Sequence, residues 1–452
     1  MLLPAMNELR EIIRREIEAC GVIPFARFME LSLYCPEIGY YERLTNTPGR
    51  RGDFFTSVSV GSLFGELLAF RFASWVEQAG FPEFQLLEAG AHDGRLAADV
   101  LAWFKARRPD LLGKLEYLIL EPSPRRQQWQ KKNLKRFGAQ VQWFSSWDTL
   151  PRPDVQGIIF SNELLDALPI HRIGWDAKAG QWFEWGVAAE NDGFVWKRLP
   201  TNSTADEPPF LSTPREEGVT LAADHPAHEP PPHPPFRLRQ AYGGQIGHPL
   251  PFRGGEGRGE GAARRFRDAM RAQSSQNSLL IGRGKKRGQR CSAFGIPHLE
   301  DLQIALPDGF TTEVTPAAAG WWREAASFLK RGRLLTFDYG LAAEEFFLPH
   351  RGNGTLRAYY RHRPSNDLLA NIGEQDLTAD VNFTALQRAG EWAGLKTDGL
   401  FSQAEFLTRI GETIWRARSG FGEWSSNQTR QFQTLTHPEH LGRSFKVLVQ
   451  SR

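Results

Sequence analysis

Residues 86–104 read LLEAGAHDGRLAADVLAWF, an apolar run that ends on Glu88, a short turn carrying Gly90 and Gly94, and a helix-forming stretch from Arg95. Glycines in such a turn let the backbone reverse tightly and let a ligand approach it closely. The first amides of the following helix then face the crevice beyond the strand tips, where nucleotide-like ligands bind. A dinucleotide site wants G-x-G-x-x-G, which holds a pyrophosphate. Here the string is G-A-H-D-G, with an acid just ahead of the first glycine. A carboxylate at that point repels phosphate and suits a ligand that has none and ends in a cationic amino acid. Glu88, Gly90 and Gly94 therefore favour S-adenosylmethionine over NAD, although strand-turn-helix glycines also occur as plain structure.

Three later segments add polar groups at the same rim. Glu121 ends the run LEYLILEP, where an acid in folds of this type bonds the two ribose hydroxyls. Trp147 and Asp148, in FSSWDTL, offer an aromatic face and an acid for an adenine ring, and a core role explains Trp147 equally well. SNELLDALP (161–169) brings Asn162, Glu163 and Asp166 to the end of an Ile-Ile-Phe run. Ser161 or Asn162 can cap the helix expected there, with Glu163 complementing its dipole. A guanidinium acceptor, which stays charged in water, would be gripped by Glu163 with Asp166 as helper.

These residues need a sheet whose strand tips share one edge. Apolar runs of strand length recur at 84–90, 116–122, 157–163 and 332–340, with helical periodicity between several of them. Strands alternating with helices imply a mostly parallel, doubly wound sheet covered on both faces. FKVLVQ (445–450) reads as a late strand and QWFEWGVAAENDGFVWKRL (181–199) as a hairpin turning at Asn191-Asp192-Gly193, both expected to widen that sheet. The opening MLLPAMNELREIIRREIEACG reads as an amphipathic helix with Leu9, Ile12, Ile13 and Ile17 on one face, not as a signal or transit peptide.

The 452 residues carry a net charge of +3. Residues 231–295 hold 13 Lys/Arg against 3 Asp/Glu, a local +10 that leaves −7 for the remainder. The basic balance thus belongs to one Pro/Gly/Arg-rich segment without apolar periodicity, which predicts a disordered insertion. Its charge lacks the interleaved aromatics that stack on bases, which argues against a nucleic-acid partner. No run of about 18 apolar residues suggests a membrane span. Cys20, Cys35 and Cys291 are too few and too scattered for a disulfide framework or a zinc site, so no metal and a cytoplasmic location are expected.

PFARFMELSLYCPEIGYYERL (24–44), RGDFFTSVSVGSLFGELLA (51–69), LLEAGAHDGRL, SNELLDALP, LLTFDYG, GTLRAYYRHR (354–363), DLTADVNFTALQRAG (376–390) and HLGRSFKVLVQ (440–450) together resemble the MidA-like methyltransferases. This family includes an arginine-methylating assembly factor of the respiratory NADH dehydrogenase. The resemblance implies a Rossmann-like class I methyltransferase fold, S-adenosylmethionine as cofactor and a protein arginine as acceptor, with such a dehydrogenase subunit as one candidate. By motif position, Glu88, Gly90 and Gly94 line the cofactor, Glu121 meets its ribose, and the loop Gly52-Asp53-Phe54-Phe55-Thr56-Ser57 closes over it. Asn162 and Glu163 then face the donor's amino acid end or the acceptor, and Asp338 and Tyr339 meet the acceptor. Two departures stand out: Ala91 and His92 replace the family's Pro and middle Gly, and Val58-Ser59 replaces its Pro-Glu. An imidazole where backbone should meet ligand leaves a catalytically degenerate assembly or binding protein as the alternative. The expected organisation is a helical region with the GDF loop (1–80), a cofactor-binding core (81–200), the insertion (201–295), and the rest of the core with acceptor-side additions (296–452).

Overall fold

The computed structural model describes residues 2–43, 56–151, 154–199, 306–346, 348–361, 363–417, 421 and 423–452. The expected insertion at 201–295 lies outside these residues, as do Gly52, Asp53, Phe54 and Phe55 of the GDF loop.

The strands of the main sheet are β1 (Phe84–Ala89), β2 (Leu115–Leu120), β3 (Val141–Phe144), β4 (Val155–Asn162), β5 (Leu329–Leu341), β6 (Lys396–Ser402) and β7 (Phe445–Ser451). They lie in the order β6-β7-β5-β4-β1-β2-β3. Pairing is parallel from β5 across to β3, and β7 runs antiparallel to both of its neighbours. The α/β fold expected from the sequence is present, and FKVLVQ does widen the sheet.

The helices that cover it are α1 (Leu63–Ala79), α2 (Arg95–Arg107), α3 (Pro124–Asn133), α4 (Pro316–Phe328), α5 (Phe383–Trp392), α6 (Gln403–Ala417) and α7 (Ser426–Thr436). Leu86, Tyr117, Ile119 and Phe160 point to the face covered by α1, α2, α6 and α7. Leu87, Leu118 and Ile159 point to the other, under α4 and α5. Burial on both faces is why these strands read as unbroken apolar runs. Helix α2 shows the matching stripe: Leu96, Val100 and Phe104, four apart, are buried with Ala97 and Leu101. Each large apolar side chain so buried contributes about 1.5–3 kcal/mol.

The hairpin at 181–199 forms, with Glu190 paired to Gly193 and Asn191 in the left-handed region at φ 49°. It does not widen the main sheet. Gln181–Glu190 pairs with His171–Asp176 and with Ile23–Pro24, and Thr311–Val314 completes a separate antiparallel sheet. The reason is a second core. Phe25 meets Trp196 at 4.9 Å and Phe28 meets Phe194 at 5.7 Å, so the hairpin's aromatics are partly buried by the N-terminal segment. Helix Leu2–Cys20 buries Leu9, Ile13 and Ile17 as its periodicity required. Its Arg10 and Arg14 donate to the hairpin-turn carbonyls of Asp192 (2.7 Å) and Asn191 (3.0 Å). A small sheet of Arg357–Tyr360, Arg363–Ser365 and Asp376–Thr378 packs beside this core. No helix among the described residues is long and apolar enough to cross a membrane.

In the main sheet the chain steps outward from β1 in both directions, to β2 on one side and β4 on the other. Crevices at such a switch point, beyond the carboxyl ends of the strands, are where open α/β sheets bind ligands.

Candidate active site

The turn after β1 is held in an unusual shape. Gly90, His92 and Gly94 all have positive φ, at 71°, 46° and 80°. A Cβ on Gly94 would come within 3.2 Å of Leu134 Cδ1, a tight contact that adds to the strain a side chain meets at this positive φ. Helix α3 fixes the turn from the side: Gln130 Nε2 donates to the His92 carbonyl (3.0 Å) and Asn133 Nδ2 to that of Asp93 (2.8 Å). The His92 imidazole is buried. Desolvation, reinforced by the charges of Arg126 and Arg95, holds it well below the usual histidine range.

Glu88 points into the helical layer, where the Tyr117 hydroxyl donates to its Oε2 at 2.6 Å. Burial pushes its carboxyl up to about 8. Glu121 follows β2 and is fully buried; its Oε1 accepts the Ser123 amide (2.9 Å) and its Oε2 accepts Gln130 Nε2 (3.3 Å). Burial raises it to about 7, opposed chiefly by Arg126. Its chain neighbours Leu120 and Pro122 line a cavity of about 440 Å³ together with Ser146, Trp147, Asp148, Trp321 and Glu324. Trp147 is also packed against Phe328 (4.9 Å) and Trp321 (5.9 Å), so it serves the core and the cavity at once.

At the tip of β4 a second polar group gathers. Glu163 stands at φ 53°, and its Oε1 accepts Asn162 Nδ2 (3.0 Å) and the Ser57 amide (3.2 Å). The Thr56 hydroxyl caps the short helix Ser57–Val60 by accepting the Ser59 amide, so this segment offers Glu163 a backbone N–H from Ser57. Asp338, on β5, accepts the amides of Leu165 (2.7 Å) and Tyr339 (2.9 Å), fixing the turn that carries Asp166. Asp166 is 1% exposed; no side chain among the described residues hydrogen-bonds its carboxyl, which has the backbone amides of Asp166 and Ala167 and the Arg357 charge as its favourable neighbours. Burial raises Asp166 to about 7 and, together with Asp166 itself, drives Asp338 well above the carboxylate range. Arg357 is half-exposed, pairs with Asp380 at 2.6 Å and lies 5.8 Å from the Tyr339 ring centroid.

The structure thus sets Gly90, Gly94 and Glu121 around one half of the rim, with the Glu88 side chain turned into the helical layer against Tyr117, and Asn162, Glu163, Asp166, Asp338 and Tyr339 around the other. Asp53 lies outside the described residues. Arg126, Tyr41, Arg357 and Asp380 join the site without having been singled out from the sequence. Their partners come from distant segments, and a local pattern does not show such pairing.

A family model described as "Putative S-adenosyl-L-methionine-dependent methyltransferase" matches residues 67–401. The chain belongs to this methyltransferase family. The family's description names S-adenosyl-L-methionine as the methyl donor. The chain is 29% identical over 199 residues to "Protein arginine methyltransferase NDUFAF7, mitochondrial" of Mus musculus, covering 37% of this chain and 45% of that protein. Against the Drosophila melanogaster homolog it is 28% identical over 209 residues, covering 41% and 46%. The chain spans just under half the length of these curated relatives. A Burkholderia thailandensis crystal structure with bound S-adenosyl-homocysteine is similar at a TM-score of 0.69 and 25% identity, covering 100% of this chain and 93% of that one. A native crystal structure from the same organism gives 0.67 at 25% identity.

The residues present fit the donor. An ionised Glu121 has lone pairs left after two accepted bonds, as a ribose diol requires. The adjacent cavity has an aromatic wall on the scale of a purine. His92, the residue that departs from the family pattern, is kept neutral by burial and so adds no positive charge beside a sulfonium. Glu88 is protonated at neutral pH in this state. The cationic attraction read from the sequence therefore requires it to lose that proton as an ammonium group approaches.

Proposed function

We propose that the methyltransferase modifies arginine nitrogens of a protein acceptor. The observation that carries this reading is the pair Glu163 and Asp166 beside Asp338, with Asp166 buried and bonded by no side chain among the described residues at the strand tips. A buried carboxyl without a side-chain partner costs about 1–3 kcal/mol or more, which a cationic, multidentate donor such as guanidinium removes. The names of the mouse and fly relatives, protein arginine methyltransferases, support the same class.

Bound S-adenosylmethionine supplies an electrophilic methyl group on a sulfonium. Glu163, oriented by Asn162 and the Ser57 amide, accepts guanidinium N–H bonds and fixes which nitrogen faces the donor. Asp338 steadies the turn. Asp166, held near neutrality, takes the proton that the acceptor nitrogen gives up, a suitable value for a general base. The protein's contribution is orientation and electrostatics.

The experiment is transfer of labelled methyl to arginine-containing proteins by wild type and Glu163→Gln, with donor affinity measured by calorimetry. Loss of transfer by about a hundredfold or more with donor affinity retained supports the reading; wild-type turnover in the variant removes Glu163 from the role. A wild type with no saturable donor binding points instead to a degenerate binding protein, the reading that His92 in the turn favours. The cytoplasm is our reading of its compartment, from the few and scattered cysteines of the sequence.

A further inference from the structure

Ser57, whose backbone N–H serves Glu163, is itself held from behind. Ser57, Glu163 and Gln403 are all fully buried. Gln403 is the first residue of α6. Its Nε2 donates to the Leu435 carbonyl on α7 (3.0 Å), and its Oε1 accepts the Ser57 hydroxyl (3.0 Å). A second glutamine secures the other end of the same segment. Gln431, on α7, accepts the Leu63 amide through Oε1 at 3.0 Å, and the chain at Gly61 runs so close that a Cβ there would collide with the Gln431 side chain.

What each group can donate or accept fixes the direction of these bonds. A backbone carbonyl only accepts, so the Gln403 amide must give its NH2 group to Leu435 and turn its oxygen to Ser57. That oxygen takes the proton of the Ser57 hydroxyl. What Ser57 has left for Glu163 is its backbone N–H, 3.2 Å from Glu163 Oε1, the same oxygen that Asn162 Nδ2 reaches at 3.0 Å. Two donors converging on one oxygen set the direction in which the carboxyl faces. Glu163 needs that hold, because its backbone at φ 53° lies in a region that residues with side chains seldom occupy.

We propose that Gln403 is a positioning residue for methyl transfer: by holding the Ser57 hydroxyl it aims the Ser57 amide at Glu163 and so fixes the carboxylate against the acceptor guanidinium. This role rests on reading Glu163 as the group that grips the acceptor. Gln403 acts on it through two hydrogen bonds in series.

The test measures labelled methyl transfer to the peptide acetyl-Gly-Arg-Gly-amide, with S-adenosylmethionine affinity and stoichiometry followed by calorimetry. The proteins are wild type, Gln403→Met, Ser57→Ala, Ser57→Thr, Glu163→Gln and the paired variants. Gln403→Met and Ser57→Ala should each lower kcat/KM for the peptide about tenfold, the scale of one buried hydrogen bond, through a higher peptide KM as well as a lower kcat. Donor affinity and stoichiometry should stay at the wild-type level. Gln403→Met combined with Ser57→Ala should lose no more than either alone, as two links of one chain must. Ser57→Thr, which keeps the hydroxyl, should retain most of the activity, and Gln403→Met should lose nothing further in the Glu163→Gln background. Losses that add, that persist without the Glu163 carboxylate, or that appear equally in donor affinity show that Gln403 only supports the fold, and they overturn its role. If Gln403→Met does not fold, Ser57→Ala, alone and with Glu163→Gln, carries the same comparison. Wild-type turnover in Glu163→Gln overturns the reading of Glu163 itself. So does a wild type that labels neither this peptide nor arginine-containing proteins, and in both cases the role of Gln403 falls with it.

Discussion

His92 and Glu163 share a backbone conformation that L-residues avoid, one in each of the two turns flanking the switch point. Each costs about 1–2 kcal/mol relative to a glycine there, and strain of this kind gathers where a side chain must be aimed. In His92→Gly that strain and the imidazole both go, so donor affinity by calorimetry should rise. An unchanged affinity would show that the imidazole stands clear of the donor. Asp166 sets a second expectation. Its carboxyl is raised to about 7, so a cationic acceptor must meet a partly protonated pocket at neutral pH and displace the proton. Acceptor KM should therefore fall as pH rises from 6 to 8, and Asp166→Asn should flatten that dependence. Glu163 and Asp166 were legible in the sequence because a strand tip is a local feature. The Asp338 amide contacts and the Arg357–Asp380 pair were not, because they join segments far apart in the chain.

Helix α3 is the element on which the donor side depends. Its sequence, PRRQQWQKKN, has no apolar stripe, so periodicity gives no hint of it; the usable signals were Ser123 as cap and Pro124 at the first turn. The same helix braces the glycine turn through Gln130 and Asn133, and clamps Tyr40–Glu42 through Ser123, Arg125 and Arg126. Ser123→Ala removes a cap and a partner of Glu42 together. It should lower stability in urea by about 1–2 kcal/mol and weaken donor binding, since the Glu121 support sits in the same turn. The hairpin at 181–199 is legible in the sequence as an element, but its place in the architecture is not. Alternation and an Asn-Asp-Gly turn specify two paired strands, but which sheet they join depends on Phe25 and Phe28 far upstream.

At the scale of the whole molecule, the donor and acceptor sides together bury several carboxyls whose folded values exceed the unfolded carboxylate range of about 4. Glu88 rises to about 8, and Glu121 and Asp166 to about 7. A raised acid binds its proton more tightly in the folded state, so its stabilising share is complete below about pH 4 and is lost as pH climbs through 7 to 8. The Tm of the protein without ligands should accordingly fall between pH 5 and 8, and Glu88→Gln should lessen the fall; a Tm that rises over this interval would contradict the burial assigned to these acids. The main sheet carries a different consequence. β7 is wedged between β5 and β6, both of which precede it in the chain. During synthesis on the ribosome those two strands emerge with a one-strand gap between them, and each exposes an unpaired edge until Phe445–Ser451 arrives. Nascent chains halted before that point present two sticky borders in the middle of the sheet, which makes them clients for chaperones and for clumping with one another.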